Sequence, residues 1–311
     1  NRTKDIKDIV FQKDIGSVYQ KVEKLQQITA KLTELLDYDA ASREMAVRAA
    51  ELCKNDLATE MVNEFANLQG LMGREYALIE GESAEAIFEH YLPRFSGDIL
   101  PETKSGTALA LAEKLFNLCS HFLLENIPSG SQDPFALRRQ ATGLLRIILE
   151  AELEINIEEM IKLSMEIVAI NSDNLDSAAS ELKEFIKQRL ENLLAEEELR
   201  YDIINAVIKV NDQNLLDLYQ RAHKLMEFRS ENPSLFVDLI RGLVRAKNIS
   251  EKAENKLEID AGLLVEDEEK ELYKAFNNRE AEINGFFASS QYQKGFYLLV
   301  ELKEYIDAFL D

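Results

Sequence analysis

Only 12 glycines and 5 prolines punctuate the 311 residues of this chain. A chain so poor in turn formers has few places to reverse sharply, which argues against sandwiches and barrels and for long helices. The apolar spacing agrees. Between Thr107 and Leu124, Leu111, Leu115, Leu118 and Phe122 recur at intervals of three and four, which sets them in one stripe on a helix. Leu182, Phe185, Ile186, Leu190, Leu193 and Leu194 repeat the pattern, as do Leu299, Leu302, Ile306, Phe309 and Leu310. There is no sustained period-two run and no Asn-Gly or Asp-Gly hairpin between two such runs. The chain reads as all-α.

The connections are legible too. Residues 91–101 hold two prolines and a glycine and read as a long loop. A second loop covers 127–134 and ends on Asp133-Pro134, a capping residue followed by a residue suited to the first helical position. A third break spans Asn171–Asn174, and acidic runs at 196–198 and 266–269 read as solvated surface. The length suggests two domains, with the boundary in the region 150–180. The 46% hydrophobic content excludes general disorder.

Charge and cysteine content narrow the function. Against 36 Lys and Arg stand 57 Asp and Glu, a net charge of −21. So acidic a chain repels DNA and anionic membranes in bulk, although a local basic patch can still hold one particular nucleic acid. Cys53 and Cys119 make no disulfide framework and fit a reducing compartment. No apolar run approaches the roughly 18 residues of a membrane span. The chain does not start with Met and reads as part of a longer protein, so chemistry absent here is expected elsewhere.

His90, His121 and His223 stand alone, with no HExxH, CxxC or P-loop nearby. The pair in Gly70-Leu71-Met72-Gly73 is too short to cradle a phosphate. On motifs alone this is a helical protein without a recognisable active site.

Longer strings are more specific. They are Gly70-Leu71-Met72-Gly73-Arg74-Glu75-Tyr76-Ala77, Glu89-His90-Tyr91-Leu92-Pro93-Arg94-Phe95-Ser96-Gly97-Asp98, Leu109-Ala110-Leu111-Ala112-Glu113-Lys114-Leu115 and Ser131-Gln132-Asp133-Pro134-Phe135-Ala136-Leu137-Arg138-Arg139. In this order they resemble the C-terminal half of the β-subunit family of heterotetrameric bacterial glycyl-tRNA synthetases, which shows GxMGRxYA, EHYLPRFxGD, LALADKL and SKDPFALRR. Looser matches follow at Arg200–Val207, similar to RYDVVDAV, and at Arg245–Ile249, similar to RVANI.

The resemblance implies an HD-like helical domain over 1–165. It implies a helical domain over 166–311 similar to the anticodon-binding domain of arginyl-tRNA synthetase, continuing in the family beyond Asp311. It places aminoacylation, with its ATP and Mg, in a separate α subunit of class II fold. This chain would then bind tRNA-Gly and the α subunit in the cytoplasm, with no cofactor, no catalytic residue, no DNA and no membrane of its own.

An active HD domain binds metal through an isolated His, a His-Asp pair and a later Asp. Here Asn55 replaces the His of the pair, Asp56 survives, Glu113 stands for the later Asp, and no His precedes His90. An Asn amide is a poor ligand for metals that favour imidazole, so these positions read as a structural relic. For tRNA contact the candidates are Arg241, Arg245, Lys247, Asn248 and Lys252, with Arg241 and Arg245 on one helix face. Arg138 and Arg139 join them, one facing outward and one anchoring the loop. Salt bridging to nearby acids is the competing reading of the basic residues. Tyr201, Phe228 and Phe236 could stack on bases, although core packing suits them better. Two other functions fit the residues less well: an HD-type metal-dependent nucleotide phosphohydrolase and a helical protein-interaction scaffold.

Overall fold

The computed structural model describes residues 2–80, 84–168, 174–210, 213–251 and 259–310. Among them the chain is all-α apart from one small hairpin, β1 (Val10–Gln12) paired antiparallel with β2 (Gly16–Ser17). The helices are α1 (Val18–Leu35), α2 (Ala40–Leu52), α3 (Glu60–Glu64), α4 (Leu71–Ile79), α5 (Glu85–Glu89), α6 (Lys104–Leu123) and α7 (Leu137–Glu150). They continue with α8 (Ile157–Val168), α9 (Leu175–Glu196), α10 (Tyr201–Ile208), α11 (Leu215–Glu231), α12 (Pro233–Ser250), α13 (Asp267–Ala288) and α14 (Tyr292–Leu310).

Local chemistry starts these helices. The Ser17 hydroxyl accepts the Gln20 N–H while the Gln20 side chain accepts the Ser17 N–H, a capping box that opens α1. Glu266 and Glu269 form another at α13, so the acidic run 266–269 sits at the positive end of a helix dipole. α7 begins at Leu137 rather than at Pro134, because Ala136 is left-handed at φ 54° and interrupts the helical run. The Asp133 carboxylate still accepts the Leu137 and Arg138 N–H groups, at 2.8 and 3.0 Å.

The first compact unit comprises residues 1–196 and 210–216, and the second comprises 197–209 and 217–311. α6 is the axis of the first. The spacing predicts one apolar stripe, but nearly the whole helix is buried, because α1, α2, α5, α7, α8 and α9 all pack on it. Alanines at 108, 110 and 112 let neighbours approach the sides that carry no leucine. The boundary drawn at 165/166 does not coincide with the edge of this unit. Met160, Ile161, Leu182, Ile186 and Leu190 are buried where α8 and α9 pack against α6, so both helices lie within it. The break at 171–174 lies outside the described residues except for Asn174. In the second unit α12 and α13 both pack on α14, around Ala275, Ile283 and Leu302.

Candidate functional site

Three of the signature strings converge in the first unit on a cluster of buried charge. Glu113, on α6, is 7% exposed. Its Oε1 accepts from Lys21 Nζ at 2.6 Å and lies 3.4 Å from Lys54 Nζ. Lys21 also donates to Asn117 Oδ1 at 2.9 Å. Lys54 Nζ lies 2.7 Å from His90 Nε2. An ammonium has only donors, so Nε2 accepts, and the proton sits on Nδ1, which donates to the Ile87 carbonyl at 2.6 Å. The Tyr91 ring lies 3.9 Å beneath the same ammonium.

These contacts set the charges. Burial alone would push the Glu113 carboxyl up, but Lys21 and Lys54 outweigh it and hold the group well below the usual carboxylate range. Burial likewise opposes the charge on Lys54, and Glu113 reverses the sign, raising it above an ordinary lysine. At Lys21 burial prevails over the same carboxylate and brings the group down to about 8. The two lysines differ because Tyr91 and Cys53 add to Glu113 in favouring the charge on Lys54, whereas the Lys54 charge adds to burial in opposing that on Lys21. Burial also keeps His90 neutral, well below its usual value, and pushes the Tyr91 phenol up to about 12.

Asn55 and Asp56 open a short 3-10 turn over Asn55–Ala58. Asp56 is 2% exposed, and its Oδ2 accepts the Gly70 N–H at 2.6 Å and the Gly73 N–H at 3.2 Å. The glycine pair too short for a phosphate therefore holds an internal carboxylate at the start of α4. Gly70 has φ +78°, and a Cβ there would meet the Tyr91 ring at 2.6 Å. Asn55 Nδ2 donates to Thr3 Oγ1 at 3.1 Å. This donor set does not fit an HD-type metal. Lysine ammonium groups stand against Glu113 where a cation would neutralise it, and Asp56 is held by backbone amides. Among the described residues no group of three or more His, Cys, Asp or Glu is arranged to hold a metal ion.

The basic candidates lie elsewhere. Arg241, Arg245, Lys247 and Asn248 are exposed on α12, and Lys252 lies outside the described residues. Arg241 and Arg245 line a groove of about 470 Å3 with Ile240, Val244, Lys303 and Asp307. Arg245 Nη1 pairs with Asp307 Oδ1 at 2.5 Å, and Lys247 lies 3.5 Å from Glu251. Such exposed pairs are worth about 0–1 kcal/mol and exchange readily for other anions. Arg138, in the first unit, donates to the Gly130 carbonyl at 2.8 Å and anchors the 127–134 loop, whereas Arg139 is exposed. Tyr201 is 81% exposed, Phe228 is buried against Phe296 and Tyr297, and Phe236 is half-buried.

Sequence reasoning missed Lys21, Lys54, His90 and Tyr91. Lys21 left a trace: it falls on the Val18–Val22–Leu25 face of α1, where a lysine has no business without a buried anion.

Comparisons with known proteins extend this picture. The model of the family "Glycyl-tRNA synthetase beta subunit" matches residues 1–209. A relative from Halothermothrix orenii, named glycine–tRNA ligase beta subunit, is 47% identical over 313 residues, which is 100% of this chain and 45% of the relative. Relatives of the same name from Syntrophomonas wolfei and Clostridioides difficile are 39% and 34% identical, over 98% of this chain and 44% of each relative. The chain spans less than half the length of these relatives.

Proposed function

We propose, from the premise that the chain belongs to the glycyl-tRNA synthetase beta subunit family, that it is the tRNA-handling part of glycine–tRNA ligase. In this reading it positions tRNA-Gly so that a separate α subunit, using ATP and Mg, attaches glycine to the 3′ end. The protein works in the cytoplasm as part of a heterotetramer. The observation that carries the reading is the 47% identity to a beta subunit along the whole chain.

The geometry supports a binding role over a hydrolytic one. Glu113 is neutralised by Lys21 and Lys54, which turns the degenerate metal positions into part of the core. The energy such a chain contributes to aminoacylation is binding energy, used to orient a remote reacting centre. Arg241, Arg245, Lys247 and Asn248 on α12, with Lys252 beyond it and Arg139 in the first unit, are the groups proposed to meet RNA. Arg138 acts through the loop it anchors.

The test is binding of tRNA-Gly against an unrelated tRNA by the complete two-subunit enzyme, at one fixed ionic strength. Preference for tRNA-Gly, with a log–log salt slope that counts phosphate contacts, is expected. Equal affinity for both, or no salt dependence, would point instead to a protein-interaction scaffold.

A further inference from the structure

We propose that the outer face of α4 is a docking surface for the stretch of the beta subunit that precedes Asn1. α4 is apolar on more than one side. Gly73 and Ala77 are buried, and the helix packs on α5 and on the Asn55–Ala58 turn. Away from them Tyr76, Leu78 and Ile79 are 38, 50 and 82% exposed. A helix that is apolar all round is one that is covered all round. Tyr76 and Ile79, three residues apart, also line a cavity of about 290 Å3 whose wall continues through Leu52, Ala77 and Ile87. A single exposed apolar side chain needs no explanation. Three on a helix of nine residues, continuous with an apolar cavity wall, mark a contact surface.

The occupant is read from the path of the chain. The 3-10 turn of Arg2–Asp8 packs on the Asn55–Ala58 turn, and Asn55 Nδ2 donates to Thr3 Oγ1 at 3.1 Å. Asn55 is itself a wall of the cavity, so the first described residues lie beside it. The chain covers 44–45% of its relatives' length, so more than half of a beta subunit lies outside it. Chain ahead of Asn1 spans about 3.3–3.6 Å per residue when extended, so a few residues carry it across a cavity of this size. Tethered there, a segment meets the surface at an effective concentration of about millimolar, which favours it over a separate protein.

In this arrangement an apolar side chain of the segment fills the cavity beside Tyr76, and its backbone lies over Ile79. The inference rests on membership of the beta subunit family and not on tRNA binding, so either can fail without the other.

The experiment uses the full-length beta subunit, alone and then in the complete enzyme. In the first measurement Ile79→Cys is alkylated with N-ethylmaleimide, and the rate at that position is followed by mass spectrometry. At a covered position the reaction waits on local opening, so in the beta subunit alone a rate about tenfold or more below that of the urea-unfolded chain is expected. In the second measurement a photoreactive benzoylphenylalanine replaces Ile79, and irradiation is expected to join it to a peptide that precedes Asn1 in the same chain. Mixing isotopically heavy and light chains separates a link within one chain from a link between two copies. Three results would overturn the proposal. One is alkylation of the beta subunit alone at the unfolded rate. Another is protection that appears only when the α subunit is added. The third is a cross-link to the α subunit, to a second copy, or only to residues from 1 onward.

Discussion

Glu113 carries the charge around which the buried cluster of the first unit is built. Facing Lys21 and Lys54, it is a buried anion compensated twice, and removing its charge leaves two buried ammonium groups uncompensated. Breaking a buried pair from one side costs about 3–5 kcal/mol, so Glu113→Gln should lower unfolding free energy by about that much in urea denaturation. Lys21→Met should cost less, because Lys54 remains. The pH dependence follows from the depressed carboxyl. A folded pKa below the ordinary 4.5 means that the unfolded chain takes up the proton first. The stabilisation is therefore complete above 4.5 and is lost as pH falls through the folded value. Denaturation midpoints measured from pH 6 downward should fall below 4.5 in the wild type and fall less steeply in Glu113→Gln. Parallel profiles would show that Glu113 is not the group responsible.

The helices themselves were legible because their signal is local. The stripe at Leu111, Leu115, Leu118 and Phe122 gives α6, and the punctuation at 91–101 and 127–134 gives the loops. What spacing could not give was how many neighbours share a helix. α6 is buried on every side, and that depends on five other helices and α1 far away in sequence. The role of the glycine string was hidden for the same reason. Gly70 and Gly73 serve a carboxylate at Asp56 and a ring at Tyr91, partners no local window contains. Gly70→Ala should thus combine left-handed strain with a clash on Tyr91. Gly97 is also left-handed, at φ +81°, but a Cβ there meets nothing within 4 Å. Left-handed strain alone costs about 1–2 kcal/mol, so Gly97→Ala should lower stability by about 1 kcal/mol and Gly70→Ala by at least twice that. Equal shifts in thermal midpoint would mean that Tyr91 moves aside freely.

At the scale of the whole molecule, the proposed function asks how a chain of net charge −21 would approach a polyanion. Bulk repulsion has to be overcome by a local surface, and α12 presents its arginines beside acids that partly mask them. Arg245 is held by Asp307, which Lys303 also contacts at 2.6 Å. In the proposed function an incoming phosphate would displace that carboxylate. Two variants with opposite charge changes follow. If Arg245 meets a phosphate as proposed, Arg245→Glu removes that contact and sets a second carboxylate against Asp307, so it should weaken tRNA-Gly binding at every sequence and flatten the log–log salt slope by about one unit. Asp307→Asn removes the competing anion and should strengthen binding. If Arg245 instead reads a base, Arg245→Glu should lose about 1–3 kcal/mol of discrimination between tRNAs with the slope little changed. Both belong in the complete two-subunit enzyme, with circular dichroism to confirm that α12 and α14 stay packed. Affinity moving in the same direction in the two variants, with the fold intact, would remove the α12 surface from the RNA interface. The tRNA-handling reading would then rest on likeness to other beta subunits.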